Sequence, residues 1–125
     1  RRDRMVWLGH RSMTLDRDAP VPLIAYQAPS LSRMYAIRSL ESVGRMWRIT
    51  CNVKEVNGVL AAVRAGIGIA VFPQSLIPPD LAQVSANYEL PELGDVDFSL
   101  LDNPSAPRGP IDALTAAILS RPVHQ

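Results

Sequence analysis

The chain is poor in the side chains that perform covalent and metal chemistry, with one cysteine, Cys51, and two histidines, His10 and His124. One thiol cannot close an internal disulfide. Placed between Ile49 and Val53, Cys51 reads as a buried, unreactive thiol in a reducing cytoplasm. No His, Cys or acidic residues recur at ligand spacing, and Asp95 and Asp97 flank the start of a predicted strand as solvated carboxylates, so no metal is expected. Gly-x-Ser-x-Gly is absent, His124 lies one residue from a terminus where chains fray, and nothing places a nucleophile beside His10. The expectation is a protein that is not an enzyme and uses no cofactor. Long apolar runs are missing too. None approaches the roughly 20 residues of a spanning helix, and Arg1-Arg2-Asp3-Arg4 leads into only five apolar residues, too few for a signal-peptide core. A soluble chain with no membrane partner is expected.

Apolar residues, by contrast, are plentiful: 47% of the 125 residues are hydrophobic, enough for the core of one domain. Net charge is only +1, yet residues 1–65 hold 11 Arg/Lys against 5 Asp/Glu, and residues 66–125 hold 2 against 7. That asymmetry can steer an anion or an acidic partner to the first half, although singly scattered charges ordinarily form solvated faces. Arg33, Arg38, Arg45, Arg48, Lys54 and Arg64 fall on different predicted elements without interleaved aromatics, which argues against specific DNA binding by this segment.

The periodicities alternate between strand and helix. Met5 to Gly9 reads as a strand, His10 to Pro22 as a loop, and Leu23 to Tyr26 as a second strand. Leu31, Met34, Ile37, Leu40 and Val43 recur at near-helical spacing, with Ser30 or Ser32 to cap the helix and Gly44 to end it. Trp47 to Cys51 reads as a third strand, and Asn52 with Glu55 resembles a capping box opening a helix to about Ala65. Asn57-Gly58 costs that helix about 1 kcal/mol or more, which predicts close approach of another backbone or a ligand. Ile67 to Phe72 is apolar throughout, the pattern of a strand covered on both faces. Further on, Val84 to Leu90 reads as a short strand, Pro91 to Gly94 as a turn, Val96 to Leu101 as a strand, and Pro110 to Ser120 as a helix stopped by Arg121-Pro122. The alternation implies an α/β fold, a mostly parallel sheet flanked by helices, with right-handed crossovers.

Gly66-Ile67-Gly68 is the one glycine pattern that invites a phosphate-binding reading. A dinucleotide loop, however, places its glycines after a strand and before a helix, and here the order is reversed. Gly66 is therefore expected in the left-handed conformation past a helix end, and Gly68 to permit close packing of helix and strand.

What remains is binding. In open parallel sheets ligands sit beyond the carboxyl ends of the strands, where helices begin. That edge carries Gln27-Ala28-Pro29-Ser30-Leu31-Ser32, then Asn52-Val53, then Phe72-Pro73-Gln74-Ser75. The mixture of small, polar and apolar residues suits a small-molecule pocket, while Ser30, Ser32 and Asn52 taken singly also suit helix caps.

Several stretches together resemble one family. Met5-Val6-Trp7-Leu8-Gly9-His10, Val21-Pro22-Leu23-Ile24, Gly44 to Ile49, the block Ala61 to Pro73 and Leu90-Pro91-Glu92-Leu93 resemble the effector-binding region of LysR-type transcriptional regulators. The ala-gly-hydrophobic-gly-hydrophobic-ala block ending in proline is the most specific part. The resemblance implies one lobe of a type 2 periplasmic binding protein fold. Residues 20–95 would form the second subdomain, 5–10 and 96–101 the crossing hinge strands, and 110–120 a helix returning to the first subdomain. It also implies that most of that first subdomain and the DNA-binding winged helix-turn-helix lie outside this chain.

Carried over to these positions, the family's inducer contacts fall on Ala28, Pro29, Ser30 and Leu31 and on Asn52 and Val53; the sheet edge adds Phe72 and Pro73. The implied partners are a small-molecule effector, weakly held by this chain alone, and further copies in a dimer or higher oligomer. DNA would be reached only through the missing domain. A redox-sensing branch would need a reactive cysteine, and Cys51 on a predicted strand does not fit it. The competing reading is a lobe of an exported solute-binding protein, which shares the architecture.

Overall fold

The computed structural model describes residues 2–84 and 88–97. Residues 98–101 of the expected last strand and the expected helix at 110–120 lie outside the described residues. The elements are β1 (Arg2–His10), β2 (Val21–Tyr26), α1 (Leu31–Ser42), β3 (Trp47–Val53), α2 (Val56–Arg64), β4 (Ala70–Pro73), a 3₁₀ turn (Gln74–Leu76), β5 (Leu81–Gln83) and β6 (Asp95–Asp97).

The segment β2–α1–β3–α2–β4 has the direction that the alternating periods imply. β2 and β3 pair in parallel from Val21 opposite Trp47 to Tyr26 opposite Val53. On the other side of β2, Leu23 and Ile69 form a parallel bridge: the Ile24 N–H donates to the Ile69 carbonyl (2.8 Å) and the Ile69 N–H to the Pro22 carbonyl (2.9 Å). The parallel character stops there. β1 pairs antiparallel with β4, β5 and β6, so the fold is α/β with a mixed arrangement of strands.

The order of strands dictates where the helices go. β3 lies on one side of β2 and β4 on the other, so the second crossover runs back across the first. With both crossovers right-handed, the two helices must cover opposite faces. The core divides accordingly. On one face Ala36 and Leu40 of α1 pack in a cluster with Met5, Trp7, Leu23, Ala25 and Ile69. On the other, Val59, Ala62 and Val63 of α2 share a cluster with Leu8, Ile24, Val53, Ala70 and Phe72. Alternate residues of β2 feed alternate faces, which is why β2 and β4 are apolar without a polar side.

Both helices end in the same way. Gly44 and Gly66 have φ of 73°, the left-handed region that favours glycine. After α1, Gly44 N–H reaches Glu41 O and Arg45 N–H reaches Leu40 O, both at 3.0 Å. After α2, Gly66 N–H reaches Val63 O (2.9 Å) and Ile67 N–H reaches Ala62 O (3.2 Å). These paired bonds are the Schellman closure, which satisfies carbonyls a helix end would leave open. The other glycines of interest serve contact. A Cβ on Gly58 would stand 3.1 Å from Val53 Cβ, so the close neighbour inside α2 is a side chain and not the backbone or ligand expected from the sequence. A Cβ on Gly68 would lie 2.5 Å from the Pro22 carbonyl oxygen and 2.9 Å from Thr50 Oγ1, so the approach it permits is to the strands β2 and β3 and not the helix-to-strand packing expected.

Two expected elements are corrected. No capping box opens α2: its N-cap is Glu55, without a side-chain cap bond, because the β2–β3 ladder carries Asn52 and Val53 on as strand. Of the strand expected at 84–90, residues 85–87 lie outside the described residues and Val84 and Tyr88 to Leu90 are not strand, while a strand forms at Leu81–Gln83. A turn after Pro78-Pro79, closed by Leu81 N–H on Pro78 O, delivers Leu81 at once to His10 of β1. One further bond, Val84 N–H to Trp7 O, ends that pairing.

An ion pair ties α2 to the turn before β5. Arg64 donates from Nε to Asp80 Oδ2 (2.8 Å) and from Nη2 to Asp80 Oδ1 (3.2 Å), and this hydrogen bonding holds the Asp80 carboxyl below its ordinary range. A lowered folded value means stabilisation that is complete above the unfolded carboxylate value of about 3.9 and is lost as pH falls through the folded one. In pH-dependent urea unfolding, Asp80→Asn is thus expected to be less stable than the wild type at neutral pH and to converge with it in acid; both side chains are exposed, so the gap is small and shrinks with salt.

The two glycines of the 66–68 segment should also separate by cost. Gly66→Ala meets only the left-handed strain of about 1–2 kcal/mol, whereas Gly68→Ala drives a methyl into backbone and is expected to cost more, about 2 kcal/mol or above. Urea midpoints of the two variants measure the order.

Candidate functional site

Adjacent strands whose connections leave for opposite faces leave a crevice between their carboxyl ends. β2 and β3 are such a pair, since the chain leaves β2 for α1 and β3 for α2. At those ends lie the turn 27–30, the first turn of α1, and Asn52 to Glu55.

Arg33 holds this edge together. From the first turn of α1 its Nη1 donates to the Tyr26 carbonyl (3.0 Å) and to Asn52 Oδ1 (2.6 Å), clasping the ends of β2 and β3 at once. Gln27 N–H adds a bond to the Val53 carbonyl (2.8 Å). Ser30 is the N-cap of α1, extended at φ −150°, and its Oγ accepts from Arg33 N–H (3.2 Å). The hydroxyls of Ser30 and Ser32 lie 3.2 Å apart and share one hydrogen bond.

The expected site residues separate into three groups. Ala28, Pro29, Ser30 and Leu31 border a shallow concavity of about 300 Å³ together with Arg33, Met34 and Ile37. Asn52 is exposed at the end of β3 and joins that group only through Arg33. Val53, Phe72 and Pro73 have buried side chains: Val53 and Phe72 sit in the α2-side core, and neither they nor Pro73 borders the concavity. They brace the edge from beneath. A smaller recess of about 20 Å³, room for a single water, lies behind it between Ala25, Ser32, Arg33, Val59 and Ala70.

Reading the turn alone misses Arg33, Met34 and Ile37. The signal is present in the spacing: residues three and four along a helix from the cap return to the cap's face, so Arg33 and Met34 follow from Ser30, and Ile37 from Met34. His10 lies away from this edge. It ends β1, far along the strand from Met5 opposite Pro73, and its Nδ1 accepts from Ser12 N–H (3.0 Å). Among the described residues no group of His, Cys, Asp and Glu is placed to hold a metal ion.

Comparison with known proteins decides the family. Residues 1–119 match the LysR substrate binding domain. The chain belongs to this family. The HTH-type transcriptional regulator DgdR of Burkholderia cepacia is 32% identical over 100 residues, which are 80% of this chain and 34% of DgdR. PecT of Dickeya dadantii (strain 3937), also an HTH-type transcriptional regulator, is 32% identical over 100 residues, 80% of this chain and 32% of PecT. The LysR chain described here thus spans about a third of the length of these relatives. Among solved structures, the regulatory domain of a HypT variant from Salmonella typhimurium superposes with a TM-score of 0.53 at 16% identity, over 75% of this chain and 61% of that one. The effector binding domain of a BenM variant gives 0.50 at 23% identity, over 74% and 47%. At such identities the likeness is one of fold, and the fold is that of LysR regulatory domains. No helix among the described residues is long and apolar enough to cross a membrane.

The cap makes a direct test of how this edge is built. Ser30→Ala is expected to destabilise the chain by about 1 kcal/mol, and Ser30→Asp, which restores an acceptor, to recover most of it. Urea unfolding of the two variants measures both effects.

Proposed function

We propose that this LysR domain is the ligand-sensing half-site of a transcriptional regulator and has no catalytic role. A small-molecule effector would sit against the carboxyl edge of β2 and β3, and a second subdomain would close over it. The observation that carries this reading is the edge itself: two neighbouring strands whose helices leave for opposite faces, with a concavity and a clasping arginine at their ends. Residues 28–31 with Asn52 would meet the effector, and Val53, Phe72 and Pro73 would support them.

The reading extends to the rest of the chain. Residues 20–95 form the sensing body. The segments 5–10 and 96–101 serve as the two crossing strands, supported by the antiparallel pairing of Arg2–Arg4 with Asp97–Asp95 at the start of β1. The segment 110–120 returns to the first subdomain. DNA is bound by a separate N-terminal domain of a cytoplasmic regulator that works as a dimer or higher oligomer. Binding controls transcription only if the effector prefers one arrangement of the subunits over the other.

A thermal-shift screen of the regulator containing this domain against a metabolite library tests the proposal. Compounds that raise Tm by binding the folded state are expected to lose their effect in Leu31→Arg, which fills the concavity. Hits that keep their full shift in that variant place the effector elsewhere.

A further inference from the structure

A second concavity opens at the other end of the strands. About 470 Å³ in volume, it lies where β2 and β3 begin, and its walls come from three elements. Pro22 and Arg48, opposite each other in the β2–β3 ladder, form one wall. Arg64, Gly66 and Ile67, at and just past the end of α2, form the second, and His10, Ser12 and Thr14, in the turn that follows β1, form the third. From Arg48 to Val53 is about 16 Å at the rise of about 3.3 Å per strand residue. This place is therefore separate from the edge where Arg33 stands.

Its walls give hydrogens and positive charge. No Asp or Glu lines it. Arg48 is exposed, and its guanidinium, which keeps its charge at any ordinary pH, meets no acceptor among the described residues. The hydroxyls of Ser12 and Thr14 also have no partner among the described residues. His10 accepts the Ser12 N–H at Nδ1, so its neutral ring carries the proton on Nε2 and donates from there. Arg64 uses Nε and Nη2 on Asp80 and keeps the Nη1 hydrogens. Arg11 stands beside that pair with Nη2 on the Pro79 carbonyl (2.6 Å), so around this corner three arginines answer to one aspartate. The negative end of α2 would oppose an anion, but the carbonyls of Ala61, Ala62 and Val63 already accept from the N–H groups of Ala65, Ile67 and Gly66.

The arrangement selects among anions. A carboxylate accepts chiefly in its own plane, whereas a phosphate group directs three oxygens apart and carries about −1.5 to −2 charge at neutral pH. Donors that approach from three elements suit the second shape, and the uncompensated charges of Arg11 and Arg48 suit the second charge. The volume exceeds that of a bare phosphate and falls within the range of small-molecule sites. We propose that this concavity binds a small phosphomonoester, its phosphate between Arg48 and the turn Ser12–Thr14 and its body over Pro22 and Ile67. The site is additional to the effector edge and does not depend on it.

The test is a titration of the 125-residue chain followed by ¹⁵N NMR at constant ionic strength, with phenyl phosphate, inorganic phosphate and benzoate as probes. Phenyl phosphate is expected to give saturable shifts at the amides of residues 10–14, 48 and 64–67, inorganic phosphate to shift the same amides, and benzoate to bind there about tenfold more weakly. Arg48→Gln is expected to weaken phenyl phosphate about tenfold, the margin of one charge-assisted contact. Arg38→Gln, which removes an equal charge from the exposed side of α1, is expected to leave it unchanged. Equal affinity for phenyl phosphate and benzoate overturns the phosphate class. A response undiminished in Arg48→Gln, or weakened equally in Arg38→Gln, overturns the site, since general charge then accounts for it; should Arg48→Gln not fold, the ratio of phenyl phosphate to benzoate on the unaltered chain decides. Absence of saturable shifts at these amides overturns both. A duplex DNA that moves them at lower phosphate concentration than phenyl phosphate makes a polyanion the occupant and overturns the small-molecule class.

Discussion

Two hydrogen bonds through Ile69, one accepted and one donated, join the two halves of this domain. On one side of them stand β2 and β3 with their parallel ladder, on the other β4 and the strands gathered on β1. At that junction the chain passes close to β2: a Cβ on Gly68 would lie 2.5 Å from the Pro22 carbonyl oxygen. The placement of the helices follows from this junction. With β4 held on the far side of β2 from β3, α2 has to cross to the opposite face from α1, and the crevice at the ends of β2 and β3 opens between them.

The clasp at that crevice is built differently from the core. Burial drives the two apolar layers, whose side chains come from alternate positions of the same strands. At the edge the elements are joined by directional bonds from one side chain, Arg33, to a carbonyl and an amide. Such bonds orient groups more than they stabilise, since each replaces a bond to water. The arrangement is a firm hydrophobic body with a polar rim whose geometry is set by very few contacts, which suits a surface that must meet a ligand or a second subdomain.

Much of the fold is readable from the residues, and the failures have physical causes. Buried strands and helices announce themselves by local period, so β1 to β4, α1 and α2 fall where Met5–Gly9, Leu23–Tyr26, Leu31–Val43, Trp47–Cys51, Val56–Val63 and Ile67–Phe72 suggest. The face of α1 does not: Leu31, Met34 and Val43 of the expected stripe are exposed, and the core takes Ala36 and Leu40. Gly44 and Gly66 mark both helix ends because a left-handed residue has few alternatives. Pairing partners are non-local, and there local period carries no information. Nothing within 81–90 says that Leu81 will find His10 while Tyr88 to Leu90 find no ladder, nor does Asn52 disclose that β2 will keep it extended and so deny it to the helix as a cap. At the edge, the loop residues 28–31 are legible from sheet logic. Arg33 is not, because its importance lies in reaching a residue 19 positions away in β3.

Proline in a central strand usually signals an error of assignment, because it lacks the N–H a ladder needs. Pro22 has a use here. Along β2 the groups facing β4 are those of Pro22 and Ile24, so the ladder toward Ile69 can be accepted at position 22 but not donated from it. A chain threaded two residues out of step would ask position 22 for a hydrogen it does not have. The imino acid therefore disfavours that one misalignment of β4, and the observed alignment sets Ile69 opposite Leu23.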